Sequence, residues 1–322
     1  MKNKLTKKLN KKMKPSEIIK ECVVKENTSG YLFPDFYSNE NKKIIDTPKK
    51  EIQGNIDLGK RGIYNSNNKL NNLTGKEWKF ATRSVITKVY PINMQHTLRK
   101  QHGGQKPPEL CADLLKIFTK QRDLVLDPLA GVGGTLLGAS LCNRKAIGIE
   151  INPQWVEIYE KVCKLENILI QEMIIGDCKI EMKKFQDSFF DFILTDVPYW
   201  HMDKLKKTRS KKIKQSSLAQ FNNSSIQKKE EWLEEMKKIF KECQRILKNR
   251  KYLAIFIGDM YRGNEYHMLG AELSNAIKNQ NLILKANLIW YDVSKTLHVY
   301  GYPTTFIPSM IHQNILVFRK EE

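Results

Sequence analysis

Leu124-Val125-Leu126-Asp127-Pro128-Leu129-Ala130-Gly131-Val132-Gly133-Gly134-Thr135 is the stretch that decides how this chain folds. Three apolar residues make a short buried strand, and an acid ends it. A run of small residues then turns, and Thr135 to Leu141 begin a helix. A strand that passes through glycines directly into a helix is the opening unit of a parallel sheet.

The same alternation continues downstream. Ala146 to Ile149 read as a second strand ending in Glu150, and Pro153 to Leu165 as a helix with Trp155, Ile158, Tyr159 and Val162 on one face. Met173 to Ile175 make a third strand, ending at Gly176-Asp177, and Phe190 to Leu194 a fourth. Upstream, Pro107-Pro108-Glu109 opens a helix, because proline suits a first turn and glutamate the positive end of the helix dipole. Its apolar stripe is Leu110, Leu114, Leu115 and Phe118, and Ser84 to Ile86 form a short strand before it. Toward the C-terminus, Trp232 to Ile246 form an amphipathic helix, Tyr252 to Ile257 a fifth strand, and Met268 to Ile277 another helix. Ile283 to Trp290 and Ile315 to Phe318 are an antiparallel pair closing the sheet. The fold class is therefore α/β, a doubly wound, mostly parallel sheet with antiparallel C-terminal strands. In such sheets ligands bind at the carboxyl ends of the strands.

Four acids stand at those ends: Asp127, Glu150, Asp177 and Asp196. Singly, each would serve as a helix N-cap or a solvated loop end; together they describe one site. The glycine turn lets a ligand approach the backbone closely. Gly131-x-Gly133-Gly134 is not the dinucleotide pattern GxGxxG, because the third glycine would fall at Leu136, and no Gly-Lys-Ser/Thr follows to make a phosphate loop. An acid directly before the turn would repel a pyrophosphate and suits a cationic group. Glu150, about twenty residues on, can accept both hydroxyls of a ribose.

The fourth strand ends in Asp196-Val197-Pro198-Tyr199-Trp200. An acid, a proline and aromatics put an acceptor, a rigid turn and a flat stacking surface at one point. That combination can hold a planar base by an exocyclic amino group.

The net charge is +20, which points to a polyanionic partner. Residues 201–229 carry nine Lys or Arg with many Ser and Asn. A loop of that length in a compact domain is functional or disordered. Residues 1–20 form a lysine-rich tail, and 21–75 are polar, with few regular elements expected until order returns at Trp78. No run of about 18 apolar residues is present and the N-terminus lacks a signal-peptide pattern, so no membrane association and a cytoplasmic location are expected. Six scattered cysteines without a CxxC pair argue against a metal site and against a disulfide framework.

These motifs resemble those of the amino-group (N6-adenine or N4-cytosine) DNA methyltransferases. Asp127-Pro128-Leu129-Ala130-Gly131-Val132-Gly133 is similar to their cofactor loop, Gly148 to Pro153 to their ribose-binding segment, and Asp196-Val197-Pro198-Tyr199 to their Asp/Asn/Ser-Pro-Pro-Tyr catalytic motif. His102 to Leu110 resembles their lysine-proline motif, and a weaker echo runs through Trp290 and His312 to Lys320. The order of the motifs is one of the permutations used in that superfamily. One departure stands out: Val197 replaces the first proline of the catalytic motif.

The resemblance implies a Rossmann-like class I methyltransferase fold over residues 76–322, with 1–75 as a basic, largely irregular N-terminal region. It implies methyl transfer from S-adenosylmethionine to an exocyclic amino nitrogen of DNA. The cofactor-binding residues would be Lys106, Pro107, Asp127, Pro128, Ala130, Gly131, Gly133, Glu150, Ile151, Asp177 and Cys178. Asp196, Val197, Pro198 and Tyr199 would be catalytic, and Trp200, Lys204, Lys206, Lys207, Arg209, Lys211 and Lys212 would contact the nucleic acid. The location would be the nucleoid region of a prokaryotic cytoplasm, or the nucleus of a eukaryote. A restriction endonuclease is a partner class that the resemblance raises and the sequence does not show. Two alternatives remain open at this point: an RNA methyltransferase acting on a guanine amino group of transfer RNA, and a non-catalytic nucleic-acid-binding protein on the same fold.

Overall fold

A computed structural model describes residues 51–200 and 228–322, apart from 53 and 294. Lys204, Lys206, Lys207, Arg209, Lys211 and Lys212 lie outside the described residues, as does most of the N-terminal region. In chain order the elements are β1 (Glu51–Ile52), β2 (Asn55–Asp57), β3 (Ile63–Asn65), α1 (Gly75–Ala81), β4 (Val85–Ile86), α2 (His96–Arg99), α3 (Pro108–Phe118), β5 (Leu124–Asp127), α4 (Gly134–Leu141) and β6 (Lys145–Glu150). They continue as α5 (Pro153–Leu165), β7 (Glu172–Ile175), α6 (Cys178–Glu181), β8 (Phe190–Asp196), α7 (Lys229–Ile246) and β9 (Leu247–Ile257). The last are β10 (Met260–Arg262), β11 (Glu265–His267), α8 (Leu269–Ile277), β12 (Leu282–Tyr291) and β13 (His312–Lys320).

Eight strands form one sheet in the order β4-β12-β13-β9-β8-β5-β6-β7. From β9 to β7 every pairing is parallel, and β13 runs antiparallel to both β9 and β12. The chain runs outward from β5 through β6 to β7, then returns to place β8 on the other side of β5. The order reverses between β5 and β8, and there the crossing helices leave a crevice at the carboxyl edge. Asp127 and Asp196 end those two strands.

Side chains alternate across the sheet with period two. Phe192 and Leu194 of β8, Ala254 and Phe256 of β9, and Ile315 and Val317 of β13 face the core under α3, α4 and α5. Ile193, Leu253, Ile255, Leu316 and Phe318 face the opposite core, filled by Trp232, Met236, Phe240 and Cys243 of α7 and Leu273 of α8. Burying a large apolar side chain of this kind contributes about 1.5–3 kcal/mol, so both faces are firmly covered.

The structure departs from the sequence expectations in four places. Val85–Ile86 joins the sheet parallel to β12, so β12 and β13 do not form its edge. Within the region expected to be irregular, β1, β2 and β3 form a small antiparallel sheet. Beside it α1 starts on a capping box, in which Thr74 Oγ1 accepts from Glu77 N and Glu77 Oε2 accepts from Thr74 N, and Arg61, between β2 and β3, ties the two together by donating through Nε to Glu77 Oε1 at 2.9 Å. The signal for that helix start, Thr74-x-x-Glu77, is present in the sequence. Finally, a hairpin of β10 and β11 follows β9, and α7 begins at Lys229, inside the segment read as loop. No helix of the described residues is long and apolar enough to cross a membrane. Cys111, Cys142, Cys163, Cys178 and Cys243 are buried thiols.

Candidate active site

The glycine turn does what its residues suggest. Gly131 and Gly133 both sit at positive φ, 52° and 73°. A Cβ on Gly133 would come within 2.3 Å of the Tyr159 ring, so glycine is required there for space as well as for conformation. Glu150, at the end of β6, reaches back across the turn. Its Oε2 accepts from Gly131 N and its Oε1 from Asn152 N, both at 2.8 Å. Burial pushes its carboxyl upward, and those two amides oppose the shift. Each oxygen retains a lone pair, which fits the two hydroxyls of a ribose.

Asp127 is buried beneath the turn and accepts from Leu129 N at 3.2 Å. Burial raises its carboxyl from 3.8 to about 6, against the hydrogen bond from Thr135. A buried carboxylate in that condition favours a cationic ligand beside it. Pro128, Ala130 and Gly131 are buried around it, and Ile151 is partly exposed beyond Glu150. Asp177 caps α6 by accepting from Lys179 N at 2.9 Å, with its other oxygen 3.9 Å from Lys179 Nζ. It therefore performs the structural duty open to any acid at a strand end, and a third of its side chain stays exposed for a ligand. Cys178 next to it is buried, which pushes its thiol up to about 12.

The segment His102 to Lys106 lies over this floor. The His102 ring packs on Gly131 and stands edge-on to Trp155 at 5.2 Å. Arg99, almost fully buried, holds the segment by donating to the carbonyls of Met94, Lys106 and Asn93 at 2.8, 3.0 and 3.3 Å. The crevice lined by His102, Lys106, Asp127, Ala130, Gly131 and Asp196 among others has a volume of about 40 Å³. Pro107 then leads into α3.

Lys106 takes a position that its sequence motif did not disclose. It is buried, and its Nζ pairs with Asp196 Oδ2 across 90 residues of chain. Asp196 has 22% of its side chain exposed. Burial raises its carboxyl, while the Lys106 cation and, further off, Lys295 lower it. The other oxygen, Oδ1, is buried and has no hydrogen-bond partner among the described residues. A buried acceptor left unsatisfied costs about 1–3 kcal/mol, so it marks a place for an incoming donor.

The rest of the tip is held by three residues that the sequence reading did not single out for it. Trp232 Nε1 donates to Pro198 O at 2.9 Å. The Tyr199 hydroxyl accepts from Gln313 Nε2, and its ring lies against Gly258, where a Cβ would be 3.0 Å from Cε2. Both contacts fix the plane of that ring. Val197 is buried among the apolar residues under α7, and its N–H reaches Phe256 O at 3.4 Å. A proline would give neither that donor nor that anchor, so the valine extends the β8–β9 pairing by one step. Trp200 is sandwiched rather than free. Arg262 lies 4.6 Å and Lys229 5.9 Å from the centre of its ring, and His267 meets it edge-on at 5.2 Å.

Among the described residues, no group of three or more His, Cys, Asp or Glu could hold a metal ion. The donor set suits an organic ligand: a diol at Glu150, a cation near Asp127, and an amino group at Asp196.

The chain also resembles known proteins. The chain is 49% identical over 51 residues to the Type II methyltransferase M.HindIII of Haemophilus influenzae, which covers 16% of each chain. It is 33% identical over 95 residues to the orphan methyltransferase M.BamHII of Bacillus amyloliquefaciens, 29% of this chain and 35% of that one. It is also 29% identical over 115 residues to a tRNA (guanine(10)-N2)-dimethyltransferase of Methanocaldococcus jannaschii, 33% of this chain and 32% of that one. The chain thus spans about a third or less of these relatives' lengths. A family model, N6_N4_Mtase, described as DNA methylase, matches residues 2–161 and 190–322. The chain belongs to this DNA methylase family.

Proposed function

We propose that the protein transfers a methyl group from S-adenosylmethionine to an exocyclic amino nitrogen of adenine or cytosine in DNA. The observation that carries the reading is Asp196 Oδ1, a buried acceptor without a partner among the described residues, at the sheet's switch point beside the cofactor floor.

When bound, S-adenosylmethionine supplies an electrophilic methyl on a positively charged sulfur. Glu150 receives the ribose hydroxyls and Asp127 stabilises the cationic end. Asp196 Oδ1 and the Val197 carbonyl accept the two amino hydrogens of the base. Held this way, the nitrogen lone pair is turned out of conjugation and toward the methyl. Orientation of this kind is worth an effective molarity of about 10⁵ M or more. Methylation would break the methyl–sulfur bond as the N–C bond forms, and the nitrogen would then shed one proton, which Asp196 would receive. The Lys106 cation favours the ionised form of Asp196 against the upward push of burial. Tyr199, with its plane fixed by Gln313 and Gly258, stacks on the base. A target in a duplex has to leave the stack, at a cost of a few kcal/mol.

The match to a transfer-RNA enzyme favours one competing reading, methylation of a guanine amino group in RNA. Incubation with labelled cofactor and either DNA or transfer RNA, followed by nucleoside mass spectrometry, separates the two. N6-methyladenine or N4-methylcytosine in DNA is the expected product. N2-methylguanine in RNA, with unmodified DNA, would overturn the proposal.

A further inference from the structure

The connection from β12 to β13 is twenty residues long, 292–311, and its position follows from register. Asn314 of β13 pairs with Ile257, the last residue of β9, and β9 runs parallel to β8. The connection therefore leaves the sheet at the same edge as Asp196.

It is a built element. Asp292 N donates to Ile311 O at 2.9 Å, which carries the strand ladder one step further. Ser309 Oγ both accepts from His298 N and donates to His298 O, at 3.1 and 3.2 Å. The end is closed by Gly301 at φ 69°, whose carbonyl accepts from Thr304 N and Thr305 N. Lys295 Nζ is fixed near the base by Met310 O at 3.4 Å, within electrostatic reach of Asp196 and Lys106.

The outer part of this finger is apolar and uncovered. Leu297, Val299, Tyr302 and Phe306 are 69%, 84%, 82% and 89% exposed. Large apolar residues at such exposure on a protein carrying a charge of +20 call for an occupant that is both polyanionic and able to stack. A nucleic-acid duplex is that occupant: its phosphates meet Lys295 at the base of the finger and Lys229 and Arg262 about Trp200, and its bases meet the apolar finger. Apolar wedges of Phe, Leu or Pro are a general way to open a base step.

We infer that the finger 292–311 is a wedge that enters the duplex beside the target, with Phe306 and Tyr302 filling the stack while the base sits at Asp196. The inference rests on the DNA reading above. It assigns the finger a cost-sharing role in extrusion and no part in the chemical step.

The test uses the full chain. The target is first mapped on genomic DNA methylated by the wild-type protein. Two short duplexes are then made that differ only in whether the target base is paired or mispaired. Phe306→Ala and Tyr302→Ala remove exposed rings, so the fold and cofactor binding by calorimetry should match the wild type. The expected result is a fall of about tenfold in kcat/KM on the paired duplex, with near wild-type kcat/KM on the mispaired one, where extrusion is already easy. Equal losses on both duplexes, or no loss on either, would overturn the wedge alone. A wild-type protein that labels no DNA would overturn the DNA reading itself, and is seen before any variant is made.

Discussion

The carboxyl edge of the sheet holds acids of two kinds. On the β5–β6 side, Asp127 and Glu150 are buried and already accept from backbone amides of the turn they organise. On the β8 side, Asp196 is held by a side chain from a distant segment through one oxygen and leaves the other without a partner among the described residues. The first pair shapes a floor through bonds within the protein. The second keeps one hydrogen-bonding position that no described residue fills. On the proposed function, the contrast separates a holding half from a reacting half within one crevice.

The sharpest way to break this contrast is Asp196→Ala. It should lower kcat by about 10²–10³, the scale for losing one preorganised group, and leave the dissociation constant for cofactor unchanged by calorimetry. Comparable loss of cofactor affinity would erase the division into halves.

Asp127→Asn should behave in the opposite way. Cofactor affinity is expected to fall by at least tenfold, because the variant presents no charge to a cation. The free protein should become more stable. Its carboxyl ionises at about 6 when folded and near 3.8 when unfolded, so the unfolded chain gives up its proton first. Stability is therefore greatest below pH 4 as far as this group is concerned and is lost as pH rises through about 6. The penalty at neutral pH is at most about 3 kcal/mol. Thermal melts of the variant from pH 4 to pH 7 should show that slope removed and a higher Tm at pH 7.

Lys106→Met tests how the two halves communicate. The Lys106 cation opposes the upward push of burial on Asp196. Without it the carboxyl rises further, and the acid limb of the kcat/KM profile moves to higher pH. Activity at neutral pH should fall by about tenfold and recover as the pH is raised. An unmoved acid limb would reduce Lys106 to a structural role.

The smallest effect belongs to Trp232→Phe. The ring still fills the core under β8, and only the hydrogen bond to Pro198 O is lost. A cost of about 1 kcal/mol in denaturant unfolding and a few-fold decrease in kcat are expected.

The two halves were not equally legible in the sequence. The floor is written locally: Asp127 stands within nine residues of every glycine it works with, and Glu150 ends the next strand. Strand ends and small-residue turns are visible as runs. The reacting half is assembled from pieces far apart, with Lys106 90 residues from Asp196 and Gln313 114 residues from Tyr199. No periodicity or spacing announces a contact at that separation; only the strand order of the sheet creates it. Short strands escaped for a different reason. Asn55–Asp57 and Ile63–Asn65 are rich in Asn and lack the alternation that a half-buried strand shows, because they pair in a small exposed sheet. Val85–Ile86 is two residues long, too short for its place in the sheet to follow from pattern. The Val197 departure gains its explanation only from β9, whose Phe256 carbonyl supplies the partner a proline could not use.

The contact between Trp232 and Pro198 has one more consequence. Chain leaves the tip at Trp200 and re-enters the described structure at Lys228. Lys229 then touches the Trp200 ring, and Trp232 is bonded to the residue two before it. Departure and return are thus moored at the same spot. The geometry around Asp196 therefore has its footing in the start of α7 as well as in β8.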